Sequence, residues 1–264
     1  MVKLQIYIYT CAAVFGACIG SFLNVVVYRL PKGKFFANAR SVCPACEHTL
    51  SWRDLIPVAS YLALRGKCRH CGERISPRYP LVELATAALA VASLARFVTF
   101  NSQFATLHFL QSFTAFAVCA ILLCIALTDA DTMEIPTALL IALVPFAVGA
   151  VWVWGEVPVL ERGIGLFAIS VPMFLLALAV KGAFGEGDMI LIAVCGFLLG
   201  WKCVLLAMFL AIMAGGGYAA ALLFTGKGKR RQQIAFGPYL CVGIAVSLFF
   251  GDAMIGWYLG LFGL

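Results

Sequence analysis

Charge is what this sequence has least of. Asp, Glu, Lys and Arg make up 12% of 264 residues, against roughly a quarter in a soluble domain, and the mean hydropathy is +1.01. A chain so poor in charge cannot clothe a water-exposed globule, so a soluble fold is excluded and a polytopic membrane protein is implied. No internal repeat and no low-complexity tract is present, which excludes solenoids and disordered linkers. A glycine-rich nucleotide fingerprint is also missing: Gly215-Gly216-Gly217 sits inside an apolar stretch, where small residues serve close helix packing. Nor do the basic residues interleave with aromatics as in a nucleic-acid surface, so no nucleic-acid partner is expected.

What the sequence has is long apolar runs. They lie near 5–28, 81–99, 107–127, 136–154, 163–180, 188–200, 203–224 and 238–262. Runs of about 20 residues cross roughly 30 Å of hydrocarbon, so the expectation is about eight transmembrane helices, the separation at Gly200-Trp201-Lys202 being the weakest. The first run lacks a small-residue cleavage site before Arg29, Lys32 and Lys34, and it reads as a retained helix with its N-terminus outside. Threading eight spans from there places 29–80, 128–135, 181–187 and 225–237 in the cytoplasm. Those segments hold every Lys and Arg except Lys3, Arg96, Arg162 and Lys202. The net charge of +7 is mostly this asymmetry, which obeys the positive-inside rule and brings basic loops against membrane lipid.

Seven of the eleven cysteines are scattered through apolar runs as small hydrophobes. The other four form Cys43-Pro-Ala-Cys46 and Cys68-Arg-His-Cys71 within the long polar segment. Two such knuckles have the form of a tetrahedral zinc site, with disulfides or free thiols as the competing readings. A reducing cytoplasm weighs against disulfides. Four thiolates leave no open coordination position, so the expected metal is structural, holding a loop too short to build its own core. His48 and His70 are alternative ligands that a complete cysteine set makes unnecessary.

Two carboxylates stand at the mouths of apolar runs, where ionisable groups are costly. Asp188 ends the turn Gly185-Glu-Gly-Asp188, and Asp129 follows the run ending at Leu127. Such a pair suits acid and base chemistry. One carboxylate activates water, the other donates a proton, and two like charges in a site poor in water titrate as a coupled unit. On spacing alone, Asp188 is equally well an ordinary helix N-cap. Asp131 would point about 200° away from Asp129 on a helix. Glu134 and Glu186 fall in polar turns, and Asp252 falls toward the opposite membrane face.

Taken in order, Gly20-Ser-Phe-Leu-Asn-Val-Val-Val-Tyr-Arg-Leu-Pro31, the two cysteine knuckles, Ser60-Tyr-Leu-Ala-Leu-Arg-Gly-Lys-Cys68, Ile75-Ser-Pro-Arg-Tyr-Pro-Leu-Val-Glu83, Asp129-Ala-Asp-Thr-Met-Glu-Ile-Pro136, Gly185-Glu-Gly-Asp188 and Ile234-Ala-Phe-Gly-Pro-Tyr-Leu240 resemble the bacterial type IV prepilin peptidases across nearly the whole chain. The resemblance implies an all-α, multi-pass GxGD-type aspartyl protease of the bacterial inner membrane, with Asp129 and Asp188 catalytic. It also implies cleavage of prepilins or pseudopilins at the cytoplasmic face, and methylation of the new N-terminus with S-adenosylmethionine. Ile190 and Thr137 depart from the family pattern, which often has a lysine and an acidic residue or asparagine there. The expected domains are a first transmembrane helix over 1–30, a cytoplasmic zinc-binding domain over 31–80 and a transmembrane protease domain over 81–264. Two other classes compete: a non-catalytic assembly factor of a pilus or type II secretion system docking through its zinc loop, and a transporter, which inverted repeats would favour.

Overall fold

In the computed structural model, which describes residues 2–33, 40–98, 105–180, 184–225 and 234–263, the chain is helical, with no named strand among those residues. The elements are α1 (Val2–Arg29), α2 (Ala59–Ala63), α3 (Arg78–Phe97), α4 (Ala105–Thr132), α5 (Thr137–Val153), α6 (Val159–Ala168), α7 (Ser170–Ala179), α8 (Glu186–Leu199), α9 (Trp201–Phe224) and α10 (Gly237–Gly260). Among the described residues each expected apolar run is mostly helical. Six stretches among the described residues are long and apolar enough to cross a membrane: Lys3–Lys32, Arg78–Phe97, Thr106–Thr132, Val159–Ala179, Trp201–Phe224 and Gly237–Gly260. α5 and α8 have only 17 and 14 residues, or about 26 and 21 Å at 1.5 Å per residue. Lys34, Lys181, Lys227, Lys229, Arg230 and Arg231, which contribute to the orientation expected from sequence, lie outside the described residues.

The stretch 159–179 is broken. α6 ends at Ala168 and α7 begins at Ser170, with Ile169 between them at φ −110°. Pro172 supplies the cause, because it has no N–H to offer and its ring crowds the carbonyl four residues back, that of Ala168.

The chain divides into two compact units, Met1–Phe116 and Ala117–Leu264, the boundary falling inside α4. In the first unit α1 and α3 pack together through Gly16 and Gly20, a small-xxx-small pair. A Cβ at Gly20 would overlap the Thr86 hydroxyl, and one at Gly16 would stand 2.8 Å from Ala87 Cα, so the backbones approach only because neither residue has a side chain. In the second unit α8 is central and packs against α5, α6, α7, α9 and α10. Its Leu191, Ile192 and Cys195 are fully buried, so this short helix is enclosed by protein. The outward faces of α7 and α9 show Phe174, Leu175, Leu178, Phe209 and Ile212, as lipid requires. Of the three consecutive glycines in α9, only Gly215 faces neighbours among the described residues, and these are the Tyr239 and Phe236 rings, not a helix backbone.

Candidate active site and metal centre

α4 extends beyond the apolar run and carries Asp129 in its last turn. The helix stops because Met133 turns left-handed at φ 55°, its N–H donating to the Asp129 carbonyl at 2.8 Å. Thr132 steadies the same turn by donating to Thr128 O at 2.9 Å. The Asp129 side chain is turned inward and is 6% exposed. Its Oδ2 accepts the backbone N–H of Gly237 at 3.0 Å, at the start of α10. Pro238 follows within the first turn of that helix, where its missing N–H costs nothing.

Asp188 sits in the first turn of α8, which begins after Gly185, so it is not the N-cap. Its carboxylate lies against the backbone of Gly185, where an added Cβ would stand 3.3 Å from Oδ2. The other oxygen, Oδ1, is buried with no hydrogen-bond partner among the described protein groups. Asp188 feels the charge of Asp129, and the buried Cys241 of α10 lies within electrostatic reach of both carboxylates. The end of one helix and the starts of two others thus bring both aspartates to one buried place.

The glycines of the Gly185-Glu-Gly-Asp188 turn act through the space they leave. Gly185 has φ −74°, a conformation any residue adopts. A Cβ there would stand 3.3 Å from Asp188 Oδ2, and one at Gly187 would stand 2.8 Å from the Ile135 Cβ. Gly187 therefore lets the turn before α8 close against the turn after α4. Asp131, Glu134 and Glu186 are exposed, and Asp252 is exposed and accepts from the Cys203 thiol at 3.7 Å. Ile190 is 48% exposed, about 200° round the helix from Asp188, so this departure from the pattern does not touch the carboxylate.

Sequence reasoning placed the late Phe236-Gly-Pro238 segment in the pattern without finding its contact with Asp129. It also left Arg162 without a role. That side chain is fully buried and donates to the carbonyls of Ala150 (3.0 Å), Trp154 (2.6 Å), Val157 (3.3 Å), Phe197 (3.2 Å) and Leu198 (2.6 Å). It ties the C-terminal ends of α5 and α8, where helix carbonyls have no partners of their own. An arginine at the edge of an apolar run was the available signal.

The polar segment of the first unit folds as two matching knuckles. In one, Cys43 N–H donates to His48 O (3.0 Å) and Glu47 N–H to Cys43 O (2.9 Å); in the other, Cys68 N–H donates to Glu73 O (2.8 Å) and Gly72 N–H to Cys68 O (3.0 Å). Gly72 is left-handed at φ 74°, and Glu47 takes the same turn at φ 57° because it fills the equivalent place. The Sγ atoms of Cys43, Cys46, Cys68 and Cys71 all lie within 4.8 Å of one another, and Cys43 and Cys71 are 3.9 Å apart. Four sulfurs about 2.3 Å from one ion would stand roughly 3.8 Å apart, so the set fits a tetrahedral metal far better than a disulfide. The rings of His48 and His70 stack at 3.6 Å, outside that set. Beside the knuckles, the Ser51 hydroxyl and the Arg69 guanidinium hold Asp54 down at about 2.

Residues 14–97 match the model of the bacterial peptidase A24 N-terminal domain, and 116–220 that of the type IV leader peptidase family. All four knuckle cysteines fall in the first match and both aspartates in the second. The chain is 34% identical to the prepilin leader peptidase/N-methyltransferase of Bacillus subtilis, over 93% of this chain and 96% of that protein. It is 35% identical to the protein of the same name in Burkholderia pseudomallei, over 91% and 84%. With that of Aeromonas hydrophila it shares 31%, over 93% and 91%. No solved structure matches the chain significantly. The chain belongs to the type IV leader peptidase family.

Proposed function

We propose that this protein is a membrane aspartyl endopeptidase that removes the leader of type IV prepilins or pseudopilins and then N-methylates the exposed residue with S-adenosylmethionine. The observation that carries the peptidase reading is the pairing of Asp129 and Asp188. Both are buried and electrically coupled, one carboxylate is fixed by a backbone N–H, and the other holds an oxygen with no partner among the described residues. Relatives named for both activities support the bifunctional reading.

The pair shares one proton, as two like charges held close must. The ionised carboxylate takes a proton from water as the water oxygen attacks the scissile carbonyl. The protonated one, whose O–H we assign to the unpartnered Asp188 Oδ1, gives its proton to the carbonyl oxygen. Collapse of the tetrahedral species breaks the C–N bond, the leaving amine takes up the proton that water lost, and a hydroxyl of the re-forming carboxyl returns a proton to Asp188.

The site opens, in this reading, to the cytoplasmic face of the inner membrane, because Arg29, Lys32, Arg40 and the basic residues of the knuckle segment lie on the same side of the threaded chain as Asp129 and Asp188. Cys43, Cys46, Cys68 and Cys71 would hold one zinc, which would cross-link the 31–80 domain and leave no position for substrate. Residues 81–264 would form the protease domain.

Incubating the purified protein in detergent with a prepilin, and measuring the mass of the product's N-terminus, tests both halves. The expected product lacks its leader and carries one added methyl group. Intact prepilin after prolonged incubation would overturn the peptidase reading, and a trimmed but unmethylated product in the presence of the donor would overturn the second activity.

A further inference from the structure

The polar segment between α1 and α3 leaves more apolar surface uncovered than a loop in water should. Trp52 is 71% exposed and Leu62 68%, and Leu55 and Ile56 are exposed beside them. Trp52–Leu55 form one 3₁₀ turn, in which residues three apart lie on the same side, so Trp52 and Leu55 share a side. Asp54 takes another. It closes a capping box with Ser51, and its Oδ1 accepts Nε of Arg69 at 2.8 Å. The polar side of the turn is thus fastened to the second knuckle, and the Trp52 side is left open.

The chain after this turn is pinned to a membrane helix. The Val58 N–H donates to Oε2 of the buried Glu83 at 2.7 Å. Glu83 lies five residues into α3, past Arg78, or about 8 Å along the axis. It stands between Leu81 and Leu84, whose exposed side chains face outward from a membrane span. Helical side chains lean toward the N-terminus, so the bond falls between that depth and the start of the helix. Val58 reaches it at φ 60°, a conformation strained for a β-branched residue. α2 hangs from the same place: the Ser60 N–H donates to Ile56 O at 3.1 Å and the Leu62 N–H to Val58 O at 3.0 Å. Ile56 and Leu62 therefore lie within one turn of a residue held near the level of the outward leucines of α3.

Charge favours the same neighbour. Residues 29–80 carry ten Lys and Arg against three Asp and Glu. The Arg53 guanidinium rests on the Trp52 ring at 5.3 Å, and Arg65 is exposed just after Leu62. An aromatic ring, aliphatic side chains and flanking cations are what an element lying in a bilayer interface presents, and such elements sink roughly 5–10 Å. We propose that Trp52–Leu62 is an interfacial wedge that inserts Trp52, Ile56 and Leu62 at the headgroup–acyl boundary of an anionic bilayer, with Arg53 and Arg65 on lipid phosphates. The wedge holds the knuckle segment to the membrane at a point besides α1 and α3, whichever reaction the chain performs.

Full-length protein in nanodiscs of phosphatidylethanolamine and phosphatidylglycerol provides the test. The emission of Trp52, taken as the difference between wild type and Trp52→Phe, should be lost when the acyl chains are brominated and should persist in aqueous iodide. Benzoylphenylalanine in place of Leu62 should cross-link under ultraviolet light to phospholipid, with phosphatidylglycerol enriched over its share of the bilayer. Bound zinc and the melting temperature report whether each variant is folded. Quenching by iodide but not by bromine, or a cross-link from position 62 to added prepilin or to a second copy of the chain, would overturn the wedge. Should Trp52→Phe fail to fold, the cross-link at position 62 decides by itself.

Discussion

The backbone N–H of Gly237 donates to Oδ2 of Asp129 at 3.0 Å across 108 residues of sequence. A Cβ at position 237 would lie 2.5 Å from that oxygen and 3.0 Å from the carboxyl carbon, so the contact exists only because residue 237 is glycine. The first turn of α10 is in this sense part of the aspartate site, although what it contributes is a backbone N–H.

Gly237→Ala should therefore cost prepilin cleavage about 10²-fold, the scale of a roughly 1 Å displacement of a catalytic group. Steady-state cleavage by protein that retains its melting temperature is the check. Near wild-type turnover would show that Asp129 is oriented by something else.

The turns bearing the two aspartates meet at Gly187 and Ile135. Gly187→Ala should push them apart and reduce cleavage, since its Cβ would fall 2.8 Å from that of Ile135. Trimming Ile135 to alanine in the same chain should restore much of the loss, the signature of coupled neighbours. Kinetics of the two single variants and the double variant measure the coupling, and purely additive losses would refute the contact.

Metal analysis of protein purified without chelator should find one zinc per chain. Cys43→Ser should lower that content and expose the segment 40–77 to limited proteolysis, because a short loop held by metal has little other core. Full protease resistance with no metal bound would remove zinc from the account.

Arg162→Met should lower stability by about 3 kcal/mol or more, because it strands buried carbonyls of α5 and α8 that cost about 1–3 kcal/mol each when unpaired. Arg162→Lys should recover little, since one ammonium cannot span both helix ends as the guanidinium fork does. Thermal melts in detergent provide the comparison.

The sequence made the helices and the two chemical clusters legible because each rests on a local signal. Apolar length marks helices, CxxC spacing marks a metal site, and carboxylates beside apolar runs mark costly groups. Other features were hidden because they depend on distant partners. Asp129 proved to lie inside α4, since Met133 and not the end of the apolar run stops the helix. The run read as 163–180 begins at Val159 and is broken at Ile169, where Pro172 denies one helical bond. The glycines before Asp188 serve to admit Ile135 and the carboxylate itself, contacts that only the folded chain displays. The short α8 is tolerated because five other helices enclose it, which no windowed hydropathy reveals.

The central claim is that Asp129 and Asp188 act as one catalytic pair. Asp129→Asn, Asp188→Asn and Asp131→Asn should be compared by the rate of leader removal from a prepilin, with bound zinc and the melting temperature confirming that each variant is folded. The account predicts a loss of at least about 10²–10⁴-fold for each of the first two and near wild-type cleavage for Asp131→Asn, whose side chain is exposed. Substantial cleavage by a folded Asp129→Asn or Asp188→Asn variant, or its abolition by Asp131→Asn, would contradict the pairing.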